Sequence, residues 1–146
     1  FYTLSYSIAT ICAFGAYIAV AEPSGDGSFA TFNGLGQRQP FLAAVLAISM
    51  LSLAGIPPTA GFFGKYFLFT AAFVKYPWLV VLAVVNSAIS IYYYFKVIIA
   101  MYFNRDHETA NEAVTVPSSV RWVVLAGLLL IALMTLAPGS VYAIIR

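Results

Sequence analysis

The chain alternates long apolar runs with short polar interruptions. Charged side chains are missing from residues 1–21, 39–64, 76–95 and 122–145. Gaps of that length are what helices crossing a hydrocarbon layer of about 30 Å require. The pattern predicts spans at about 1–21, 41–75, 77–103 and 120–137, an all-α polytopic transmembrane helix bundle with four crossings. The first, Phe1 to Ala21, is dotted with Thr3, Ser5, Ser7, Thr10, Tyr2, Tyr6 and Tyr17. Small and hydroxylated residues let helix backbones approach closely in lipid. Glu22 to Gln39 carries Pro23, Gly25, Gly27, Gly34 and Gly36, and reads as a polar loop of turns without helix.

Residues 41–75 hold the most informative pattern. Phe41 to Ala54 and Phe62 to Val74 are helix-like, and the breaker Gly55-Ile56-Pro57-Pro58-Thr59-Ala60-Gly61 separates them. Consecutive prolines lack the N–H a helix needs and disfavour helical backbone before them. Flanks of 14 and 13 residues reach only about 20 Å each at 1.5 Å per residue. Joined end to end they cross a bilayer, so residues 41–75 are expected to form one discontinuous helix broken at 55–61. A hairpin of two short spans, or a re-entrant loop, is the competing reading. Irregular backbone at membrane depth is tolerated only inside protein or beside water, which makes the break a functional pointer.

Pro77 opens the third span, with Lys96 near its end. The polar loop 104–119 holds Arg105, Asp106, His107, Glu108, Asn111 and Glu112, and Pro138-Gly139 bends the tail. Arg38, Lys96, Arg105 and Arg121 flank loops 22–40 and 104–119, against Lys75 and Arg146 on the opposite side. That bias favours a cytoplasmic position for the two loops.

Composition sharpens this picture. The chain of 146 residues is 62% hydrophobic and 8% charged, against about 25% charged in soluble domains. So much apolar surface excludes a soluble globular enzyme. The net charge of +2 has no polybasic run behind it, so nucleic acid is not an expected partner. Cys12 is the single cysteine, which excludes a disulfide framework and points to packing. The chain opens at Phe1 inside an apolar run, with no methionine and no basic n-region. It does not read as a signal peptide and is expected to be the C-terminal piece of a longer protein.

Lys65 is the main candidate for chemistry. In the broken-helix reading it lies about ten residues from the nearer end, or about 15 Å deep, beyond comfortable snorkelling reach. A lysine there can load and release a proton beside a hydrated path. Anchoring a shorter helix at the headgroups is the plainer reading. Lys96 follows Tyr92-Tyr93-Tyr94, a run that suits an interfacial belt with a snorkelling base; a proton relay at a channel mouth is the alternative. Asn86, Ser90 and Tyr93 or Tyr94 share one helical face, fit either to hold waters or to join helices. Lys75, beside Tyr76-Pro77-Trp78, reads as an anchor. His107, between Asp106 and Glu108, reads as solvated, without the ligands a metal would need. No phosphate-binding, dinucleotide, nucleophile-elbow or haem motif occurs, so redox chemistry would belong to partner chains.

The run Leu51-Ser52-Leu53-Ala54-Gly55-Ile56-Pro57-Pro58-Thr59-Ala60-Gly61-Phe62-Phe63-Gly64-Lys65 resembles the antiporter-like membrane subunits of respiratory complex I, a superfamily that includes Mrp-type Na+/H+ antiporter subunits. Tyr6 to Gly15 and Ser87-Ala88-Ile89-Ser90-Ile91-Tyr92-Tyr93-Tyr94-Phe95-Lys96-Val97 are similar to its subunit N branch, called subunit 2 in mitochondria. The resemblance implies a proton-translocating, multi-pass subunit of NADH–quinone oxidoreductase in a bacterial inner membrane. It implies no cofactor in this chain, with NADH, FMN, iron–sulfur clusters and quinone held by partner subunits. Neighbouring antiporter-like subunits and the lipid bilayer are the implied partners. Lys65 matches the charged residue of the second discontinuous helix, and Lys96 a basic residue after the tyrosine run. Lysine at 65 argues against the subunit M pattern, which has glutamate there, and the triple tyrosine argues against subunit L. The family's other pumping residues lie on earlier helices than this chain holds. An Mrp-type antiporter subunit is the runner-up, and a scaffold that only packs its neighbours is the third reading.

Overall fold

The apolar runs fold as helices whose ends fall at prolines and glycines. The computed structural model describes residues 1–24, 28–104 and 116–145. Its helices are α1 (Tyr2–Ser24), α2 (Leu35–Arg38), α3 (Pro40–Ala54), α4 (Ala60–Phe73), α5 (Pro77–Tyr102), α6 (Ser118–Leu136) and α7 (Pro138–Ile145). No strand occurs among the described residues. Pro40 and Pro77 each open a helix at its first turn, where the missing N–H would have had no intrahelical partner. Pro138 likewise separates α6 from α7, so the expected bend in the tail is a helix–helix joint.

The segment 22–39, expected as turns alone, is corrected in part. Phe29–Phe32 forms a turn of 3-10 helix and Leu35–Arg38 a turn of α-helix. Phe32 stacks on Tyr17 with ring centroids 5.6 Å apart, and Phe32 and Leu35 are buried. Burying those side chains outweighs the loop preference of the surrounding glycines. Arg105, Asp106, His107, Glu108, Asn111, Glu112 and Arg146 lie outside the described residues.

α1 sits at the centre. It packs antiparallel to α6, where Gly15 meets Val124 and Cys12 meets Gly127. On its other side it meets α3 and α4: Gly64 lies against Ser5 and Tyr2, and Phe1 packs edge-on to Phe67 at 5.5 Å. Cys12 is fully buried in this seam and serves as a small packing residue.

α5 shows how α3 and α4 lie relative to each other. Ala100 accepts from the Gly34 N–H at 3.2 Å, next to the start of α3. Leu53 and Tyr94 line one groove, and Ser87 meets Lys65. Contacts thus run steadily down α5 as they run up α3 and then α4. At 26 residues, α5 is about 39 Å long at 1.5 Å per residue. α3 and α4, at 15 and 14 residues, are each little more than half that length, and α5 meets the α3 side through Tyr94 and Ala100 and α4 through Ser87.

α1, α5 and α6 are each long and apolar enough to cross a membrane. α5 buries only Val80, Ala100 and Met101, and Trp78, Leu82, Tyr92, Leu129 and Leu136 stand exposed. Apolar faces of this extent belong against lipid or other helices.

Candidate functional site

The site begins with the end of α3. A helix leaves its last four carbonyls without intrahelical donors. Here they belong to Leu51, Ser52, Leu53 and Ala54. Gly55 adopts a left-handed φ of 78°, which an L side chain rarely tolerates. That turn aims its N–H at the Ser52 carbonyl and the Ile56 N–H at the Leu51 carbonyl, each at 3.1 Å, the paired bonds of a Schellman cap. Two carbonyls remain. Lys65, on the second turn of α4, reaches back and donates from Nζ to Leu53 O at 3.0 Å and Ala54 O at 2.9 Å. The ammonium therefore completes the cap of α3 at the negative end of its dipole.

α4 starts against the same turn. Thr59 is its N-cap, its hydroxyl accepting from the Phe62 N–H at 3.4 Å. The buried Ser52 hydroxyl accepts from the Gly61 N–H at 3.2 Å. A Cβ on Gly61 would run into the Ser52 carbonyl, so the two helix ends approach to a distance only glycine permits.

The third donor of Lys65 goes to α5. Nζ donates to the Ser87 hydroxyl at 2.6 Å, a short bond of the charge-assisted kind. Two cavities flank this bond and share Lys65, Phe69 and Ser87. One, of about 310 Å³, is largely apolar, lined by Phe62, Tyr66 and Ile91 among others. The other, of about 360 Å³, carries Asn86, Ser90 and Tyr94 of α5 with Tyr2 and Tyr6 of α1. Of the two tyrosines that fit the helical spacing, Tyr94 faces this cavity and Tyr93 stands exposed. Both cavities are large enough, and the second polar enough, to hold water.

Lys96 lies elsewhere. It is exposed, with Nζ 5.3 Å from the centre of the Phe29 ring, and lines neither cavity on Lys65. Cation–π contact at an exposed site is worth about 0.5–1 kcal/mol. Lys96→Ala is accordingly expected to cost no more than about 1 kcal/mol of stability, measured by thermal unfolding in detergent. Lys75 is exposed at the α4–α5 turn, 5.6 Å from the Tyr76 ring, in the setting of an interfacial anchor. Among the described residues no group of three or more His, Cys, Asp or Glu could hold a metal.

Sequence reasoning missed Ser87 as the partner of Lys65, and the two carbonyls that Lys65 caps. A signal for Ser87 existed: Ser87, Ser90 and Tyr94 recur at helical spacing, on the face that lines the polar cavity.

Residues 1–90 match the family described as NADH:quinone oxidoreductase/Mrp antiporter, TM. The chain belongs to that family. It is 46% identical over 112 residues to NADH-quinone oxidoreductase subunit N of Cytophaga hutchinsonii, covering 76% of this chain and 24% of the relative. It is 39% identical over 145 residues to subunit N 2 of Solidesulfovibrio magneticus, covering 97% of this chain and 30% of that protein. The chain thus spans about a quarter to a third of these relatives' length. Among solved structures it resembles a chain of respiratory complex I from Thermus thermophilus with bound Aureothin. That match has a TM-score of 0.62 and 28% identity, covering 92% of this chain and 35% of the other. Family and apolar helices together make this a multi-pass membrane protein.

Proposed function

We propose that this chain is part of a proton-translocating membrane subunit of NADH–quinone oxidoreductase in a bacterial inner membrane. Lys65 carries the proton. α3 and α4 form one discontinuous crossing, and with α1, α5 and α6 the chain crosses four times. Neighbouring antiporter-like subunits and lipid cover its apolar faces. Electron transfer takes place in partner subunits, which hold NADH, FMN, iron–sulfur clusters and quinone. Its energy drives changes of hydration and charge around Lys65.

The observation that supports this most is the setting of Nζ. It lies at the break between α3 and α4 and is bonded to Leu53, Ala54 and Ser87. Two cavities meet at it, one of them lined by hydroxyl and amide side chains. A group poised to give up and regain a proton needs such a route to water.

The test is NADH-driven proton uptake by sealed vesicles holding the full-length parent complex. Uptake that needs no sodium and falls in Lys65→Ala supports the proposal. Uptake that requires sodium favours the Mrp-type reading, which shares the break and Lys65. Undiminished uptake in Lys65→Ala leaves the scaffold reading.

A further inference from the structure

We propose that the Ser87 hydroxyl is the group through which Lys65 hands its proton to the polar cavity. This rests on the reading of Lys65 as a proton carrier and concerns the direction in which the proton leaves.

The three partners of Nζ are chemically unequal. Leu53 O and Ala54 O are backbone carbonyls, which accept hydrogen bonds and carry no hydrogen to pass on. Ser87 Oγ, at 2.6 Å, both accepts and donates. A proton leaving Nζ along an existing hydrogen bond therefore has one productive path. Among the described residues no other side chain lies within hydrogen-bond distance of Nζ. The titratable groups facing the two cavities are Tyr2 and Tyr6 of α1, Tyr66 of α4 and Tyr94 of α5, and among the described residues no carboxylate lines either one.

Atoms and charge balance across the transfer. In the loaded state Nζ carries three hydrogens, and Ser87 Oγ accepts one of the three bonds. On release, the N–H bond facing Ser87 breaks and its proton forms a new O–H bond on Oγ. The original O–H bond of Ser87 breaks in turn, and that proton passes to a water in the cavity beside Asn86 and Ser90. Ser87 is a neutral hydroxyl before and after, and water becomes hydronium. The amine keeps two hydrogens, one for each carbonyl, so the cap of α3 stays intact. Its free lone pair now accepts from the Ser87 O–H. One hydroxyl reverses its bond while the two backbone bonds persist, and Lys65 unloads without moving.

Ser90 suits this role as the next group along. Its hydroxyl donates to the Ser87 carbonyl at 2.7 Å, leaving its lone pairs free to order a water in the same cavity. The apolar cavity on the far side of Lys65 offers Tyr66 and Thr70, and the Thr70 hydroxyl donates within its own helix to Tyr66 O at 2.8 Å.

The decisive comparison is Ser87→Thr against Ser87→Val, side chains of one shape that differ in the hydroxyl, with Ser87→Ala as a smaller second variant. Proton uptake per electron is measured in sealed vesicles holding the full complex, alongside Lys65→Ala and with complex abundance matched. The proposal expects Ser87→Thr to retain uptake close to wild type, and Ser87→Val and Ser87→Ala to fall to the level of Lys65→Ala. It is overturned if either apolar variant pumps like Ser87→Thr; a Lys65→Ala deficit beside that result leaves the carrier reading standing. Wild-type uptake in Lys65→Ala itself overturns both.

Discussion

Gly61→Val is expected to prevent stable folding of the chain, read as loss of the full-length protein from membranes. The added side chain would occupy the position of the Ser52 carbonyl. That carbonyl cannot simply move aside, because it accepts from the Gly55 N–H at 3.1 Å within the turn that ends α3. Separating the helices instead would cost the bond from the Gly61 N–H to Ser52 Oγ. It would also draw Lys65 away from the carbonyls it caps. Overpacking costs about 1–3 kcal/mol, and each lost hydrogen bond about 1 kcal/mol, more where a charge is involved. Together these approach the whole stability of many domains, about 5–15 kcal/mol. Wild-type abundance of the protein in membranes would contradict the close approach of α3 and α4.

Lys65→Ala is expected, on the proposed reading, to leave the complex assembled while slowing proton transfer through this chain by about 10²-fold or more. The substitution leaves the Leu53 and Ala54 carbonyls without their donor. A buried orphan of that kind costs about 1–3 kcal/mol. Cavities of about 310 and 360 Å³ adjoin the position, so water can enter and supply the missing donors. Structure survives for that reason. On the proposed reading proton transfer does not, because a neutral water carries no proton to load and release at the position of the ammonium. Proton-transfer groups contribute about 10²-fold or more to the steps they serve. Measuring proton uptake and electron transfer on the same vesicles separates lost pumping from lost assembly.

Much of this is legible in the pattern of apolar runs. Four charge-free gaps and a Gly-Ile-Pro-Pro breaker suffice to place α1, α3, α4, α5 and α6, since length and proline chemistry leave few alternatives. Lys65 stands out because a lone base in such a stretch is expensive. Its partners do not. Ser87 lies 22 residues further along the chain, and only the antiparallel course of α5 brings it to Nζ. The capped carbonyls of Leu53 and Ala54 are backbone groups that no side-chain pattern announces. The segment from Phe29 to Arg38 is misread when glycine content is weighed without the aromatic contact that buries Phe32 on Tyr17. Local preference is a weak guide where a distant helix supplies the packing.

As the proposed proton carrier, Lys65 must do more than cap α3: it must also lose its charge. Lys65→Arg separates the two roles, because a guanidinium can donate to the Leu53 and Ala54 carbonyls yet stays protonated throughout. The measurement is the ratio of protons taken up to electrons transferred, in sealed vesicles holding the assembled Lys65→Arg complex. Intact electron transfer is expected, with a ratio lowered to that of Lys65→Ala. A ratio equal to wild type would contradict proton carriage by this residue, and would leave Lys65 as a structural cation at the end of a helix.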